Sequence, residues 1–294
     1  MYIVADEFGY KTNNQCDNEN IVMFTSIKNI DKQLVFNNFS IKYVISGEET
    51  YNINGVDYVL KKNDYVLCNQ FCEGKVFINS PNSVKGICID ISPDLVAEVL
   101  ASYHAPDTNI PDLNLGNYFN SSNFMEQQFS SSNINFGRKL IQLENILSKK
   151  PHEDHIFNKE FYYRLIEDII ADYIPLVKQF QSLRSIKSST KKDLLRKLSL
   201  GKSFIDENFY SDIQIVDIAA TAHISQYHFF RLFRNVYNIS PLQYLIKKRM
   251  EKAQELLLKM PINQIALELG YQDIFSFSKA YKKFYGVAPS KTIL

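Results

Sequence analysis

Two segments near the C-terminal end of the chain repeat each other, and this repeat constrains the fold more than any other feature of the sequence. A shift of 48 positions aligns Phe229, Arg231, Phe233, Arg234, Tyr237, Asn238 and Pro241 with Phe277, Lys279, Tyr281, Lys282, Tyr285, Gly286 and Pro289. Upstream, Ile218–Ala219 matches Ile265–Ala266 at a shift of 47, so the second copy has one extra residue between these points. A repeat of this length indicates one supersecondary unit that occurs twice.

Each copy is predicted to form a short helix, a tight turn and a second helix. The first helices have apolar residues at helical spacing, namely Ile215, Ile218, Ala219 and Ala222 in one copy and Ile262, Ile265, Ala266 and Leu269 in the other. Ser225 and Asp273 are suited to cap the second helices, and Gly270 is suited to end the helix before the turn. The second helices are predicted to end at Asn238 and Gly286, which tolerate the left-handed conformation. Their buried residues are predicted to be Phe229, Leu232, Phe233 and Val236 in one copy and Phe277, Ala280, Tyr281 and Phe284 in the other.

One longer helix, from Pro241 to Leu258, is predicted to join the two copies. Its apolar side carries Leu242, Leu245, Ile246, Met250, Ala253, Leu256 and Leu257. A helix from Lys192 to about Asn208 is predicted to pack beneath them. The segment is therefore predicted to be two helix-turn-helix units joined by a linker helix.

This pattern resembles the DNA-binding domain of the AraC/XylS family of bacterial transcription regulators, over roughly a third of the chain. The matching residues are Ile218–Ala219, Ser225, Phe229, Phe233–Arg234, Ser240–Pro241, Tyr244–Leu245, Arg249, Ala253, Leu256–Leu257, Ile262, Ile265–Ala266, Gly270–Tyr271, Asp273, Phe277, Tyr281–Lys282, Gly286 and Pro289. The chain departs from the family pattern at Asn238, where Gly is usual, at Tyr271, where Phe is usual, and after Pro289, where the usual Tyr-Arg is missing. The alternative is an all-helical bundle that binds no nucleic acid.

The resemblance implies sequence-specific binding of double-stranded DNA, with the second helix of each unit in the major groove. The side chains expected to face base edges are Tyr227, His228, Phe230, Arg231, Ile274, Phe275, Ser276 and Lys279. Those expected near the phosphate backbone are Ser225, Gln226, Arg234, Lys247, Lys248, Arg249, Lys282 and Lys283. An internal acidic partner is the alternative for Arg249. Ile274 and Phe275 can contact thymine methyl groups but cannot donate hydrogen bonds, and partial core packing is the alternative for both. A rigid linker helix is expected to hold the recognition helices about 34 Å apart, one turn of DNA.

Charge is distributed unevenly along the chain, although the net charge is only +1. Residues 191–294 contain 16 Lys and Arg against 9 Asp and Glu, whereas residues 1–190 contain 17 against 23. A basic module joined to an acidic one suits DNA at one end and another task at the other.

Short strands separated by turn residues are predicted from about Val35 to Ile91. The Asn54–Gly55 pair is a strong signal for a two-residue hairpin, and the number of strands favours a small antiparallel barrel or sandwich. Tyr43–Gly47 and Leu60–Asp64 resemble the cupin-like sensor half of the same regulators. The predicted fold class is α+β multidomain, with an N-terminal antiparallel cupin-like β barrel and following helices, then a C-terminal all-α double helix-turn-helix domain.

Many cupins hold a catalytic metal through His and Glu side chains of the barrel. The five histidines here, His104, His152, His155, His223 and His228, all lie outside the predicted strands, so no metal, cofactor or enzymatic activity is expected. The barrel is expected to bind a small organic effector, with Tyr43, Tyr51 and Tyr65 as candidate contacts. The alternatives are aromatic residues that are plain core in a barrel that only dimerises, and a metal-free cupin enzyme fused to a DNA-binding module.

A helical connection is predicted at residues 113–190, between a sensor domain at 1–112 and a DNA-binding domain at 191–294 with its units at about 215–236 and 262–284. An apolar stripe, formed by Phe157, Phe161, Leu165, Ile169 and Tyr173, is either intramolecular core or the contact of a homodimer. Pro175 is predicted to kink or end the helix that carries it, and residues 181–192 are predicted to form a linker.

The family resemblance also implies an activator that contacts RNA polymerase. No N-terminal segment joins a basic start to an apolar run, so a signal peptide is not expected, and no apolar run approaches the length of a membrane span. A cytoplasmic protein that does not bind membranes is expected. Cys16, Cys68, Cys72 and Cys88 lack the spacing of a metal site and are expected to be reduced thiols.

Overall fold

The computed structural model describes residues 2–6, 20–103, 115–131, 135–149, 156–183 and 187–292. The chain divides into two compact units, Met1–Lys178 and Gln179–Leu294. The first unit combines a β sheet with helices and the second is helical, which confirms the predicted fold class.

The sheet of the first unit has eight strands and forms a nearly closed, barrel-like shell. They are β1 (Tyr2–Asp6), β2 (Ile21–Val35), β3 (Phe39–Ser46), β4 (Glu48–Ile53), β5 (Val56–Lys61), β6 (Asp64–Cys68), β7 (Glu73–Ile91) and β8 (Gln128–Ser130). Along the order β1-β2-β7-β3-β6-β8, β1 pairs with β2 in parallel and the other pairs are antiparallel. β4 pairs with both β5 and β7.

The β4–β5 hairpin shows how local sequence determines this part of the sheet. Asn54 and Gly55 form its turn with φ angles of 50° and 79°, the positive values that a tight hairpin turn requires. The turn places Tyr51 directly opposite Tyr58, and both side chains are buried. The predicted hairpin is therefore confirmed.

The prediction that the strands begin at about Val35 is wrong, because β1 and β2 precede that point. β2 is 15 residues long, but its second half is largely polar and exposed, so it lacks a clear apolar alternation. Its partner β7 supplies the backbone hydrogen bonds over the whole length, interrupted by one register shift between Ile27 and Asn29. Pairing of this kind, between strands that are distant in sequence, cannot be inferred from the local pattern of residues.

The described residues of the first unit also form α1 (Pro93–Ser102) and α2 (Leu115–Phe119), which lie between β7 and β8 along the chain. α3 (Asn135–Lys149) and α4 (Lys159–Ser182) follow β8. Pro175 was predicted to kink or end its helix. It does not end the helix, because α4 continues for seven residues beyond it. The residues around this proline, Leu176, Val177 and Phe180, are buried. Their packing offsets the backbone hydrogen bond that proline cannot make.

The apolar stripe on α4 is core over most of its length. Phe157, Leu165, Ile169 and Tyr173 are buried, and the ring of Tyr173 stacks on Phe124 at 5.3 Å between centroids. Phe161 is only half-buried. The interpretation of the whole stripe as a dimer contact is therefore wrong, and Phe161 alone remains available for it.

The second unit consists of helices. They are α5 (Ser188–Asn208), α6 (Ile215–Thr221), α7 (Gln226–Tyr237), α8 (Pro241–Leu256), α9 (Ile262–Glu268) and α10 (Ile274–Tyr285), followed by a short 3-10 helix at Pro289–Lys291. The prediction of a linker at 181–192 is wrong in extent, because α4 reaches Ser182 and α5 begins at Ser188. Gly201 lets α5 approach α7, since a Cβ at this position would lie 2.5 Å from the ring of Phe229.

Candidate nucleic-acid interface

The two helix-turn-helix units, α6–α7 and α9–α10, share the same backbone turn. Equivalent N–H groups donate to equivalent carbonyls: Ile224 to Ala219 (3.1 Å) and His223 to Ala220 (3.0 Å), Tyr271 to Ala266 (2.9 Å) and Gly270 to Leu267 (3.1 Å). His223 and Gly270 both have positive φ, at 52° and 73°. The repeat in the sequence is thus a repeat in structure, down to the turn.

The ends of the recognition helices α7 and α10 follow from their terminal residues. The Asp273 carboxylate accepts a hydrogen bond from the backbone N–H of Ser276 at 2.7 Å, so it caps α10 as predicted. Ser225 occupies the N-cap position of α7, but its side chain makes no capping hydrogen bond. Asn238 and Gly286 end the two helices in the left-handed conformation, which confirms the prediction.

The inner faces of the recognition helices form the core of each unit. Phe229, Leu232, Phe233, Val236, Phe277 and Tyr281 are buried, as predicted. Ala280 is half-buried. The prediction for Phe284 is wrong, because its side chain is 43% exposed. Phe284 lies in the last turn of α10, where its ring contacts Tyr285 at 4.8 Å instead of entering the core.

The outer faces carry the side chains that were expected to meet base edges. Tyr227 and Phe275 are 78% and 82% exposed, and Phe230 and Ile274 are each 37% exposed. His228, Arg231, Ser276 and Lys279 are exposed as well. All eight therefore lie on the surface of α7 or α10, within the first two turns of the helix.

Arg231 is the strongest hydrogen-bond donor of this set, and His228 holds it in place. Nη2 of Arg231 lies 3.2 Å from Nε2 of His228, one helical turn away. Because a guanidinium can only donate, this contact requires His228 to accept through Nε2. The pair orients Arg231 along the exposed side of α7.

Most of the side chains expected near phosphates are also on the surface. Ser225, Gln226, Arg234, Lys247, Lys282 and Lys283 are exposed. Lys248 is half-buried, and its Nζ lies 3.2 Å from Oδ1 of Asp206. Lys247 lies 3.8 Å from Glu251, a contact long enough to exchange for a phosphate.

Arg249, unlike the other side chains expected near phosphates, lies inside the domain. It is buried, and its guanidinium donates to the backbone carbonyls of Phe209 at 2.7 Å and Ser211 at 2.8 Å. The guanidinium also lies over the ring of Tyr271, 5.2 Å from the centroid. Both the prediction of a phosphate contact and that of an acidic partner are wrong, because Arg249 ties α8 to the segment after α5.

The linker helix α8 is held by a second polar contact that the sequence did not reveal. Its N-terminus has a capping box, in which Ser240 and Gln243 bond to each other's backbone N–H groups. On the next turn, the hydroxyl of Tyr244 donates to Asp206 of α5 at 2.8 Å. Burial opposes ionisation of Asp206, but hydrogen bonds from Lys202 and Tyr244 hold its pKa below the usual range. No motif around Asp206 signals this role.

Parts of the chain are similar to known proteins and domains. The helix-turn-helix domain family matches residues 218–293. The probable transcriptional regulator LumQ of Photobacterium leiognathi is 25% identical over 170 residues, which cover 56% of this chain and 64% of LumQ. The Msm operon regulatory protein of Streptococcus mutans is 31% identical over 131 residues, 44% of either chain. The C-terminal domain of AraT, a response regulator from Geobacillus stearothermophilus, is 33% identical over 34% of this chain and 85% of that domain, with a TM-score of 0.33.

Residues 218–293 form a helix-turn-helix domain of the AraC type. The match to LumQ and to the Msm regulator extends over less than two thirds of the length of either relative. The residues matched by the domain family span both helix-turn-helix units, apart from the first three residues of α6.

The three tyrosines that were expected to contact an effector lie on two different faces of the sheet. Tyr43 and Tyr65 are directly opposite each other on β3 and β6. The Tyr43 hydroxyl donates to Glu144 of α3 at 2.8 Å, and Tyr65 packs edge-on against Phe136 of the same helix. Because side chains alternate along a strand, both point toward the helices and away from the barrel interior. The idea that they line an internal pocket is wrong.

Tyr51 does point into the barrel, beside a polar cluster. Its hydroxyl donates to Oε2 of Glu49 at 2.6 Å, and both side chains are buried. Lys42 and Asp90 lie 3.5 Å apart at the inward-facing positions of β3 and β7. Burial raises the pKa of Glu49, although the hydrogen bond from Tyr51 and the charge of Lys42 act in the opposite direction.

The described residues can also be compared with the patterns of metal sites, disulfides and membrane-spanning helices. No group of three or more His, Cys, Asp or Glu side chains in the described ranges could hold a metal ion. Cys68, Cys72 and Cys88 are free thiols, and burial raises the pKa of Cys88 to about 11. Within the same ranges, no helix has the length and apolar character that crossing a membrane requires.

Proposed function

We propose that this protein is a sequence-specific DNA-binding transcription regulator that works in the cytoplasm as a homodimer and responds to a small-molecule effector. The observation that carries the proposal is the pair of equivalent recognition helices, whose apolar inner faces are buried while Tyr227, Arg231, Phe275 and Lys279 project outward. Such an arrangement suits two successive segments of the major groove.

The first recognition helix supplies most of the hydrogen bonding to bases. Arg231 can donate two hydrogen bonds to O6 and N7 of guanine, and this contact discriminates against other bases by about 1–3 kcal/mol. In α10 the equivalent position is Lys279, a single point charge that makes no bidentate contact. The first unit therefore discriminates among bases more strongly than the second.

Phosphate contacts position the protein without specifying sequence. Arg234 and Lys282 occupy the same place in the two units and are both exposed. Ser225, Gln226, Lys247, Lys248 and Lys283 complete the proposed set. Arg249 is omitted because its guanidinium is already bonded inside the domain.

The dimer contact is proposed at a groove between α3 and α4. The groove has a volume of about 220 Å³ and is lined by Lys139, Gln142, Leu143, Ile146, Ile156, Phe161, Arg164 and Leu165. Ile146 is 41% exposed and Phe161 is half-buried, so the groove presents apolar surface that a second copy would cover.

The effector site is proposed at the polar cluster inside the barrel. Lys42, Glu49, Tyr51 and Asp90 offer donors and acceptors to a small polar molecule, next to the apolar half of the interior. Effector binding changes DNA affinity only by the difference in its own affinity for the two states of the protein. Contact with RNA polymerase, and hence activation, completes the proposal.

Selection from a pool of random duplexes tests the proposed function. The purified chain is expected to enrich one sequence, with two conserved segments about one helical turn apart. Arg231→Ala is expected to relax base preference in one segment only. Lys282→Ala is the matched control, and it should weaken binding to every sequence by a similar factor. Enrichment of no sequence above the starting pool would count against the proposal.

A further inference from the structure

Each recognition helix begins with an exposed aromatic side chain at the same place. Tyr227 is the second residue of α7 and Phe275 is the second residue of α10, 48 positions apart. Their exposed fractions, 78% and 82%, exceed those of every other exposed Phe or Tyr in the part of the chain that the structure describes. Two exposed rings at equivalent positions of the two helices are both free to contact the same kind of partner.

The neighbouring residues limit what the start of α10 can read. The Ser276 hydroxyl donates to Oδ2 of Asp273 at 2.9 Å, so the side chain already takes part in the helix cap. The side chain of Ile274 has no polar atom and cannot form a hydrogen bond with a base. In the base-facing set of α10, the Phe275 side chain is 82% exposed, and Lys279, one turn later, is exposed as well.

The chemistry of the major groove identifies the partner of an aromatic ring. Thymine is the base that presents an apolar group there, its C5-methyl, whereas the other base edges present hydrogen-bond donors and acceptors. A Phe ring can gain from a methyl group by removing apolar surface from water, but it cannot satisfy a polar edge.

We propose that Tyr227 and Phe275 each contact the C5-methyl group of a thymine, so that the operator carries a thymine at equivalent positions of its two segments. The inference rests on the proposed DNA-binding function and adds the chemical feature that both helices read. In the first segment the methyl contact supplements Arg231, and in the second it provides most of the discrimination.

Replacement of thymine by deoxyuridine in the selected duplex tests this, because it removes only the methyl group. Each thymine is replaced in turn, and the dissociation constant of the full chain is measured for every duplex. We expect one position in each segment at which the loss of the methyl weakens binding by about fourfold. Phe275→Ala should abolish the effect in one segment and leave it in the other, and Tyr227→Ala should do the reverse.

Tyr227→Phe is the matched control, because it keeps the ring and removes the hydroxyl. It should remain sensitive to the methyl group in its segment; insensitivity would show that the tyrosine hydroxyl, not the ring, makes the contact, and would overturn the proposal for this helix. A selected duplex in which no deoxyuridine changes the affinity would overturn the methyl contacts while leaving DNA binding intact. Failure to select any duplex would instead remove the proposed function itself.

Discussion

His223 is the residue that the first helix-turn-helix unit holds in an unfavourable conformation. Its φ of 52° is left-handed, and its counterpart in the second unit is Gly270, with a φ of 73°. The left-handed conformation destabilises a residue with a Cβ by about 1–2 kcal/mol. Glycine avoids this cost, but it also increases the entropy of the unfolded chain, which cancels part of the gain in stability. His223 is exposed, so its side chain has no place in the core.

His223→Gly is therefore expected to raise the free energy of unfolding by about 0.5–1 kcal/mol. Urea denaturation followed by circular dichroism measures this. Gly270→Ala is the opposite control and should destabilise the protein by more than that, because its Cβ would lie 2.8 Å from Nη2 of Arg249 and 2.9 Å from the carbonyl of Tyr210. A His223→Gly variant no more stable than the parent would mean that the turn relieves the strain elsewhere.

Glu49 gives the stability of the protein a dependence on pH. Its pKa is raised in the folded chain, chiefly by burial. Above a pH of about 4.5, the ordinary value, the unfolded chain releases this proton while the folded chain retains it. The folded state then binds more protons than the unfolded state, so its stability falls as the pH rises through this window to the raised pKa.

Glu49→Gln keeps an acceptor for the Tyr51 hydroxyl and cannot ionise. The variant is expected to gain stability relative to the parent as the pH rises from about 4.5 toward neutrality. The measurement is the difference in free energy of unfolding between the two proteins at several pH values. Glu48→Gln, an exposed carboxyl on the same strand, is the matched control. Parallel curves for the parent and Glu49→Gln would contradict the expected linkage.

At the scale of the element, α4 combines a core face with part of a groove. Phe161 contacts Phe157 at 5.2 Å between ring centroids and also lines the groove with Ile146. Phe161→Glu is expected to give a folded monomer, because it places a charge in the proposed dimer contact. Sedimentation at micromolar concentration measures the state, and Glu167→Ala, an exposed residue of α4 outside the groove, should remain dimeric. A parent protein that already sediments as a monomer would contradict the proposed dimer contact at this groove.

The elements that could be predicted from sequence are those whose signals are local. The caps, the left-handed helix ends and the Asn54–Gly55 turn depend on one or two residue types at fixed positions. For the helix ends, the repeat supplies a second, equivalent example. Alignment of His223 with Gly270 would also have identified the left-handed conformation of His223. These signals together specify both helix-turn-helix units.

Elements that depend on distant partners were predicted poorly. β2 owes its length to β7, and α4 continues past Pro175 because its far end is buried. The faces of Tyr43 and Tyr51 could not be assigned, because an aromatic residue fits either side of a sheet that is covered on both. Arg249 was misplaced for a related reason, since its partners are backbone carbonyls that carry no sequence signature.

At the scale of the whole molecule, the two parts of the chain carry net charges of opposite sign. The excess of cations lies in residues 191–294, at 16 Lys and Arg against 9 Asp and Glu, and the rest of the chain is acidic. The compact unit Gln179–Leu294 contains both helix-turn-helix units and every proposed phosphate contact. This unit is therefore expected to bind DNA without the remainder of the chain.

The salt dependence of binding measures how many phosphates the protein neutralises. Five cations remain in the proposed phosphate set once Arg249 is removed: Arg234, Lys247, Lys248, Lys282 and Lys283. Each releases counterions, so the logarithm of the affinity should fall against the logarithm of salt concentration with a slope of about −4.5. Lys282→Ala should make the slope shallower by about 0.9. Lys259→Ala removes an exposed charge outside the set and should leave the slope unchanged. A slope near zero for the parent would mean that these cations do not meet the phosphate backbone, whatever sequence the protein selects.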